Sequence, residues 1–251
     1  MQPVTLGGSG GRSRLVLTCE HASKAVPQEY GCLGLSAGHL ADHIAWDIGA
    51  AALTEELSRQ LDAPAVLSGA SRLLIDCNRD LTDLDLIPHL SHGVAIPANA
   101  DLGTAERERR LARFYDPYHA AIDAELEHHP HALLLSVHSF TPELRGHARP
   151  FDVGVLFDAF DELAQLFARH IAAAGLAVRM NEPYSGLDGL IFSARSHGRR
   201  HGLRYLELEV NNRLLRSDEQ ARSIAARLLD AVAAVTASAT ELAPGDARRQ
   251  A

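Results

Sequence analysis

Short aliphatic and β-branched runs alternate along this chain with longer stretches of helical periodicity, and no other feature narrows its fold as far. Strands separated by helix-length connections cannot close as hairpins. They are joined by crossovers and lie parallel in one sheet with helices on its faces. The spacing predicts strands over 14–19, 65–68, 72–76, 132–137, 152–157, 177–180 and 203–210, with helices over 36–60, 104–128, 160–174 and 217–237. Ser36 and Ser217 suit helix N-caps, and Asp218 and Glu219 suit the positive end of the helix dipole. The fold class read from this pattern is α/β: a single domain over residues 1–251 with a mainly parallel mixed sheet flanked by helices. No Pro/Gly/Ser-rich linker divides the chain, and no internal repeat has a solenoid period. Residues 1–12 and 239–251 are glycine-rich or small and polar, and are expected to fray. The segments 81–103 and 138–150 lack periodicity and are expected to be loops that cover or bind something.

Composition removes several function classes. A formal net charge of −8 disfavours a nucleic-acid partner, because such binding rests on neutralising phosphates with a basic surface. No run approaches the roughly 20 apolar residues that span a bilayer, so no membrane partner is expected. Residues 1–11 lack the basic-then-apolar pattern of a secretion leader, and a cytoplasmic setting is the expectation. Cys19, Cys32 and Cys77 are odd in number and form no CxxC pair, which indicates neither a disulfide framework nor a cysteine zinc site.

In a parallel α/β sheet, ligands gather beyond the carboxyl ends of the strands. Reactive residue types stand at several of the predicted ends: Thr18-Cys19-Glu20-His21, Asp76-Cys77-Asn78-Arg79, Ser136-Val137-His138-Ser139 and Glu207-Leu208-Glu209-Val210-Asn211. Zinc, or another divalent metal, prefers nitrogen and oxygen ligands of this kind, and a catalytic site uses three protein ligands and one open position. His21 and His138 supply two. Asp47 is the preferred third, with His43 beside it, because the two stand four apart on the expected helix and so share a face. Glu20 is the alternative, but it neighbours His21, and adjacent side chains on an extended segment point to opposite faces.

Arg72 and Arg79 bring guanidinium groups, which grip carboxylates with two-point geometry, and Asn78 adds an amide that donates and accepts. The plainer alternative is that Asp76 and Arg79 simply pair. In Leu206–Val210 the aliphatic residues point one way and both glutamates the other. Glu209, nearer the carboxyl end, is assigned as the general base, with Glu207 as the alternative and a solvated outer face as the plain reading. Gly7-Gly8-Ser9-Gly10-Gly11 precedes the first expected strand rather than following it, so it is read as a flexible end and no phosphate loop.

Taken together, Thr18-Cys19-Glu20-His21-Ala22 with Val26-Pro27, His43-Ile44-Ala45-Trp46-Asp47-Ile48-Gly49-Ala50, Ser71–Arg79, Val137-His138-Ser139-Phe140-Thr141-Pro142 and the Glu-x-Glu strand resemble the N-formylglutamate amidohydrolase family. The likeness runs from about residue 14 to residue 230. That family is similar in fold to zinc exopeptidases and to aspartoacylase, whose Asn-Arg motif holds a substrate carboxylate; Asn78 and Arg79 stand at the matching positions. The chain departs from its exopeptidase relatives at Lys24, where they carry a glutamate, and from many family members at Asn211, where they carry an arginine.

The resemblance implies a metal-dependent amidase that removes a small acyl group, such as formyl, from the nitrogen of an acidic amino acid. The expected mechanism has zinc held by His21, Asp47 and His138, Glu209 as general base, Arg72 beside the developing oxyanion, and Asn78 with Arg79 on the substrate carboxylate. Two alternatives stand beside it: a zinc carboxypeptidase or deacylase of another N-acyl amino acid, and a non-catalytic binding protein for an acidic metabolite.

Overall fold

The computed structural model describes residues 1–8 and 13–241, and side chains as far as residue 239. Seven strands form one sheet in the order β1–β3–β2–β6–β11–β9–β10. These are β1 (Val4–Leu6), β2 (Leu15–Cys19), β3 (Ala65–Leu67), β6 (Leu133–Phe140), β9 (Val153–Leu156), β10 (Val178–Met180) and β11 (Tyr205–Asn211). The run β3–β2–β6–β11 is parallel, β10 pairs parallel with β9, and the pairs β1–β3 and β11–β9 are antiparallel. The sheet is therefore mixed and mainly parallel. Two small hairpins, β4 (Leu90–Ser91) with β5 (Val94–Ala95) and β7 (Glu143–Leu144) with β8 (His147–Ala148), occupy the two aperiodic segments.

Helices α2 (Ala50–Leu61), α5 (Asp161–Ala173) and α7 (Asp218–Glu241) cover one face, and α4 (Asp116–His128) and α6 (Phe192–His201) cover the other. Covered on both faces, β2, β6 and β11 are buried at every residue, as parallel strands in such a fold must be. The caps at Ser36 and Ser217 are present: Ser36 Oγ accepts from His39 N at 3.2 Å and Ser217 Oγ from Gln220 N at 3.2 Å.

Several elements differ from the expectation. The helix over 36–60 is two: α1 (Ala37–Ala41) ends early, and α2 begins only after Gly49 at φ +81°. A Cβ on Gly49 would lie 2.4 Å from Leu215, so that turn requires glycine. Residues 72–76 are not a strand. Ser71 Oγ accepts from Leu73 N, and Asp76 Oδ1 from Asn78 N, and these local bonds replace a ladder.

The helical stretch over 104–128 holds a π-turn at Leu111–Tyr115 between α3 (Thr104–Arg110) and α4. Pro117, with no N–H to donate, sits in the next turn and accounts for that break. Helix α6 was not foreseen. At the termini, residues 4–6 form an edge strand rather than a frayed end, and α7 runs to Glu241. Residues 9–12 and 242–251, the rest of the expected frayed ends apart from their flanks, lie outside the described residues.

Candidate active site

The three central strands share a pattern on the face turned toward α4 and α6. Along β2 this face reads Val16, Thr18, then Glu20; along β6 it reads Leu134, Ser136, His138; along β11, Tyr205, Glu207, Glu209. Parallel registry puts Leu134 level with Val16 and Tyr205, and Glu209 level with His138. Each strand is thus apolar at its amino end and polar at its carboxyl end, so the sheet carries a band of buried polar side chains at one edge. The opposite face, with Leu17, Val137, Leu206 and Leu208, belongs wholly to the hydrophobic core.

His21 and His138 meet at this edge with ring centroids 4.8 Å apart, edge to face. Asp47 Oδ2 lies 2.8 Å from His138 Nδ1 and 3.4 Å from His21 Nδ1, and it also accepts from Ser139 N at 3.3 Å. Ligand atoms of the three residues all fall within 4.8 Å of one another, and all three side chains are buried. The far nitrogen of each ring meets a second carboxylate. His21 Nε2 is 2.7 Å from Asp76 Oδ1, and His138 Nε2 is 2.9 Å from Glu20 Oε2, the latter a charge contact without good hydrogen-bond alignment. Asp47 is held there by its backbone, whose N–H donates to His21 O at 3.0 Å.

Asp47 does not reach the site along a helix face. It lies in the turns between α1 and α2, so the helical spacing to His43 is not what places it. His43 sits on the pocket wall against Asp42 and the His92 ring, outside the histidine–aspartate group. Glu20 stands behind His138, where Tyr118 Oη donates to it at 2.9 Å and Ser136 Oγ at 2.5 Å. Asp76 does not form its ion pair with Arg79. It accepts from Arg72 Nη2 at 2.7 Å and faces His21, while Arg79 lies 3.5 Å from Asp83. Arg72 also reaches Asp47 Oδ1 at 3.5 Å.

Both glutamates of β11 are buried rather than solvated, and one pocket takes in Glu207, Glu209, Arg72, Asn78 and Arg79 with the histidine–aspartate group. The two carboxylates are not equivalent. Glu207 Oε2 accepts from Asn78 Nδ2 at 3.3 Å and is 3.6 Å from His138 Nε2, whereas Glu209 Oε2 is buried with no hydrogen-bond partner. Asn78 is further tied by Ser193 N, which donates to its Oδ1 at 2.9 Å. Asn211 faces away from this chemistry, donating to Phe151 O at 3.0 Å.

The electrostatics follow from crowding carboxylates around few cations. Burial alone would raise Asp47, but the His21 and His138 charges and hydrogen bonds outweigh it and hold the carboxyl well below its ordinary value. Burial likewise opposes the ionisation of Asp76, and Arg72 and His21 overcome it. His138 is pushed well above the usual imidazole value because Glu207, Asp47 and Glu20 outweigh its burial. With too few cations to go round, Glu207 rises to about 7 from burial, partly offset by His138, and Glu209 rises well above the carboxylate range from burial with repulsion by Asp47 and Glu207.

The sequence missed Asp76 as a histidine partner, Tyr118 and Ser136 as supports of Glu20, and the pocket residues His92 and Tyr184. Ser136 was visible as a polar residue inside an apolar run. His92 and Tyr184 lie in aperiodic chain and carry no such signal.

A mainly parallel sheet whose carboxyl edge gathers histidines, carboxylates and arginines into one pocket is the arrangement of an α/β-class enzyme with its site at the strand ends. The family model for N-formylglutamate amidohydrolase matches residues 13–216, and the chain belongs to that family, so it is an amidohydrolase. A gene product of Agrobacterium tumefaciens of known structure is 33% identical, with a TM-score of 0.89 over 94% of this chain and 95% of its own. The N-formylglutamate amidohydrolase of Ralstonia eutropha, 19% identical, superposes with a TM-score of 0.73 over 96% of this chain and 98% of its own, which shows the shared fold. No curated protein is significantly similar in sequence. None of the described helices is long and apolar enough to cross a membrane.

Proposed function

We propose that the chain is a metal-dependent hydrolase of N-formylglutamate or a closely similar N-acyl acidic amino acid. The observation that carries this reading is the paired arrangement of the imidazoles: both turn Nδ1 toward Asp47 Oδ2 and Nε2 toward a second carboxylate. Histidines that ligate a metal through one nitrogen and are oriented by a carboxylate at the other have this form. The donor set of two nitrogens and one carboxylate oxygen fits zinc with one position open. The His138 ring stands among Asp47, Glu20 and Glu207, three carboxyl groups whose negative charge would favour a cation there. When bound, a zinc ion would polarise the amide carbonyl and lower the pKa of a water molecule to about 7.

His21, Asp47 and His138 would hold that ion, and Glu20 and Asp76 fix the two rings. Glu209, which lines the pocket, would be ionised beside the bound cation, whose charge opposes the burial and repulsion that raise its carboxyl, and would then take the proton from the attacking water and return it to the leaving amine. Arg72, anchored on Asp76, directs positive charge at the carbonyl oxygen as it becomes negative. Arg79 receives the substrate carboxylate, and Asn78, engaged by Ser193 and Glu207, fixes the wall behind it.

The test is release of formate and glutamate from N-formylglutamate, set beside formimidoyl, acetyl and carbamoyl derivatives and a C-terminal peptide. Formyl turnover that is abolished by chelation and restored by zinc is expected. Full turnover by protein verified to be metal-free would overturn metal dependence, and preference for the peptide would move the assignment to a carboxypeptidase.

A further inference from the structure

Outside the pocket, a second set of metal-ligating side chains joins α4 to α6. Each helix contributes a pair four residues apart, and such pairs lie on one helix face: His119 and Asp123 from α4, His197 and His201 from α6. His197 Nδ1 and His201 Nε2 approach the same oxygen, Asp123 Oδ1, at 2.7 and 2.8 Å. Ligand atoms of these three residues all lie within 4.8 Å of one another.

We propose that Asp123 Oδ1, His197 Nδ1 and His201 Nε2 bind a zinc-type transition ion that staples α4 to α6. Two imidazoles converging on one carboxylate oxygen are a nitrogen–nitrogen–oxygen donor set, which zinc takes up at about 2.0–2.2 Å per bond with a water completing the tetrahedron. The surrounding contacts are those that hold ligands in place. Arg200 Nη1 donates to the other oxygen of Asp123 at 2.6 Å, so the carboxylate presents Oδ1 alone. His197 Nε2 meets His119 Nδ1 at 2.8 Å, where only one of the two nitrogens can carry a proton. With His197 bound through Nδ1, its proton sits on Nε2 and is donated to His119, which fixes the ring. The Arg200 side chain is 56% exposed, so water screens its repulsion of the ion.

The position gives the ion a task. Helix α6 packs on β6 and β11, the strands of His138 and Glu209, and its Ser193 N–H holds Asn78. Helix α4 carries Tyr118, which supports Glu20. Stapling the two helices therefore braces the pocket from behind, and the side-chain exposures of 1% for His197 and 17% for His201 leave an entry path on the His201 side.

The experiment titrates chelated, refolded-checked protein with zinc by calorimetry, comparing the wild type with His201→Gln and with Asp123→Asn, each confirmed folded by circular dichroism. Asp123→Asn keeps the side-chain shape and serves as an independent arm should His201→Gln fold poorly. The wild type is expected to bind one equivalent more than either variant, and its melting temperature to rise by ~5–10 °C more on zinc loading. Equal stoichiometry in the wild type and a folded variant overturns the proposal. If the wild type binds a single equivalent that the variants lose, this staple stands and the metal at His21, Asp47 and His138 fails, so the two readings part cleanly.

Discussion

At the scale of single residues, burial and partner choice separate side chains that look alike in the sequence. Glu207 and Glu209 share a strand face, yet Asn78 and His138 engage the first and leave Oε2 of the second free. Glu209→Gln is therefore expected to keep its metal and fold while kcat falls by roughly 10²–10⁴-fold, the usual worth of a general base. Comparable loss in Glu207→Gln, with Glu209→Gln active, would transfer the role. Arg79→Ala should raise KM for an acidic N-acyl substrate by about tenfold or more with kcat less affected, because the substrate carboxylate loses a charged partner. Unchanged KM on the best substrate would remove Arg79 from the anchor. Glu207 also sets a pH dependence. Its carboxyl holds a proton more tightly folded, at about 7, than at the ordinary value of 4.5, so its stabilising contribution is complete below pH 4.5 and drains away as pH rises to 7. In chelated protein, Glu207→Gln should match the wild type near pH 4.5 and exceed it above pH 7 by about 1–3 kcal/mol in urea unfolding. A constant difference across that range would show that burial does not hold the proton there.

At the scale of elements, the long strands β2, β6 and β11 were legible because double-sided burial writes continuous apolar runs, and α2, α5 and α7 because their amphipathic stripes are long. His21, His138 and Glu209 were legible as site candidates for a related reason: polar residues that end an apolar run face whatever lies beyond the sheet edge. Asp47 was chosen on helical spacing, but turns bring it in, since Asp42 and Gly49 end one helix and delay the next. The run at 72–76 imitates a strand because Leu73, Leu74 and Ile75 are buried, and burial alone does not reveal where backbone hydrogen bonds go. Helix α6, Phe-Ser-Ala-Arg-Ser-His-Gly-Arg-Arg-His, shows no apolar stripe because its contact with the sheet depends on an absence: a Cβ on Gly198 would lie 2.2 Å from the Tyr205 ring. Gly198→Ala must displace that ring or lift α6 from β11, and overpacking of this kind costs about 1–3 kcal/mol. The expected result is lower stability to urea together with a raised KM, since α6 holds Asn78 through Ser193. Wild-type stability in this variant would show that the helix packs more loosely than its geometry indicates.

Across the whole molecule, one sheet edge concentrates more negative charge than the protein supplies cations to balance. Glu20, Asp47, Asp76, Glu207 and Glu209 crowd around Arg72, Arg79 and the His21 and His138 rings, and the crowding appears as carboxyls driven in opposite directions, some far down and some far up. A bound divalent cation would relieve the repulsion in the folded state, and the unfolded chain, with these residues scattered between positions 20 and 209, has no such site. Binding to the folded state alone raises stability by mass action. In a His201→Gln background, which removes the staple between α4 and α6, zinc-loaded protein should melt ~5–10 °C above the chelated form, and a further His138→Gln change should abolish that difference. The second substitution matters because surface carboxylates also bind zinc weakly, and only loss at the buried histidine assigns the shift to the sheet edge. If the His201→Gln protein melts at one temperature whether loaded or stripped, the charge surplus is balanced by retained protons, and Glu207, Glu209 and His138 are the groups that hold them.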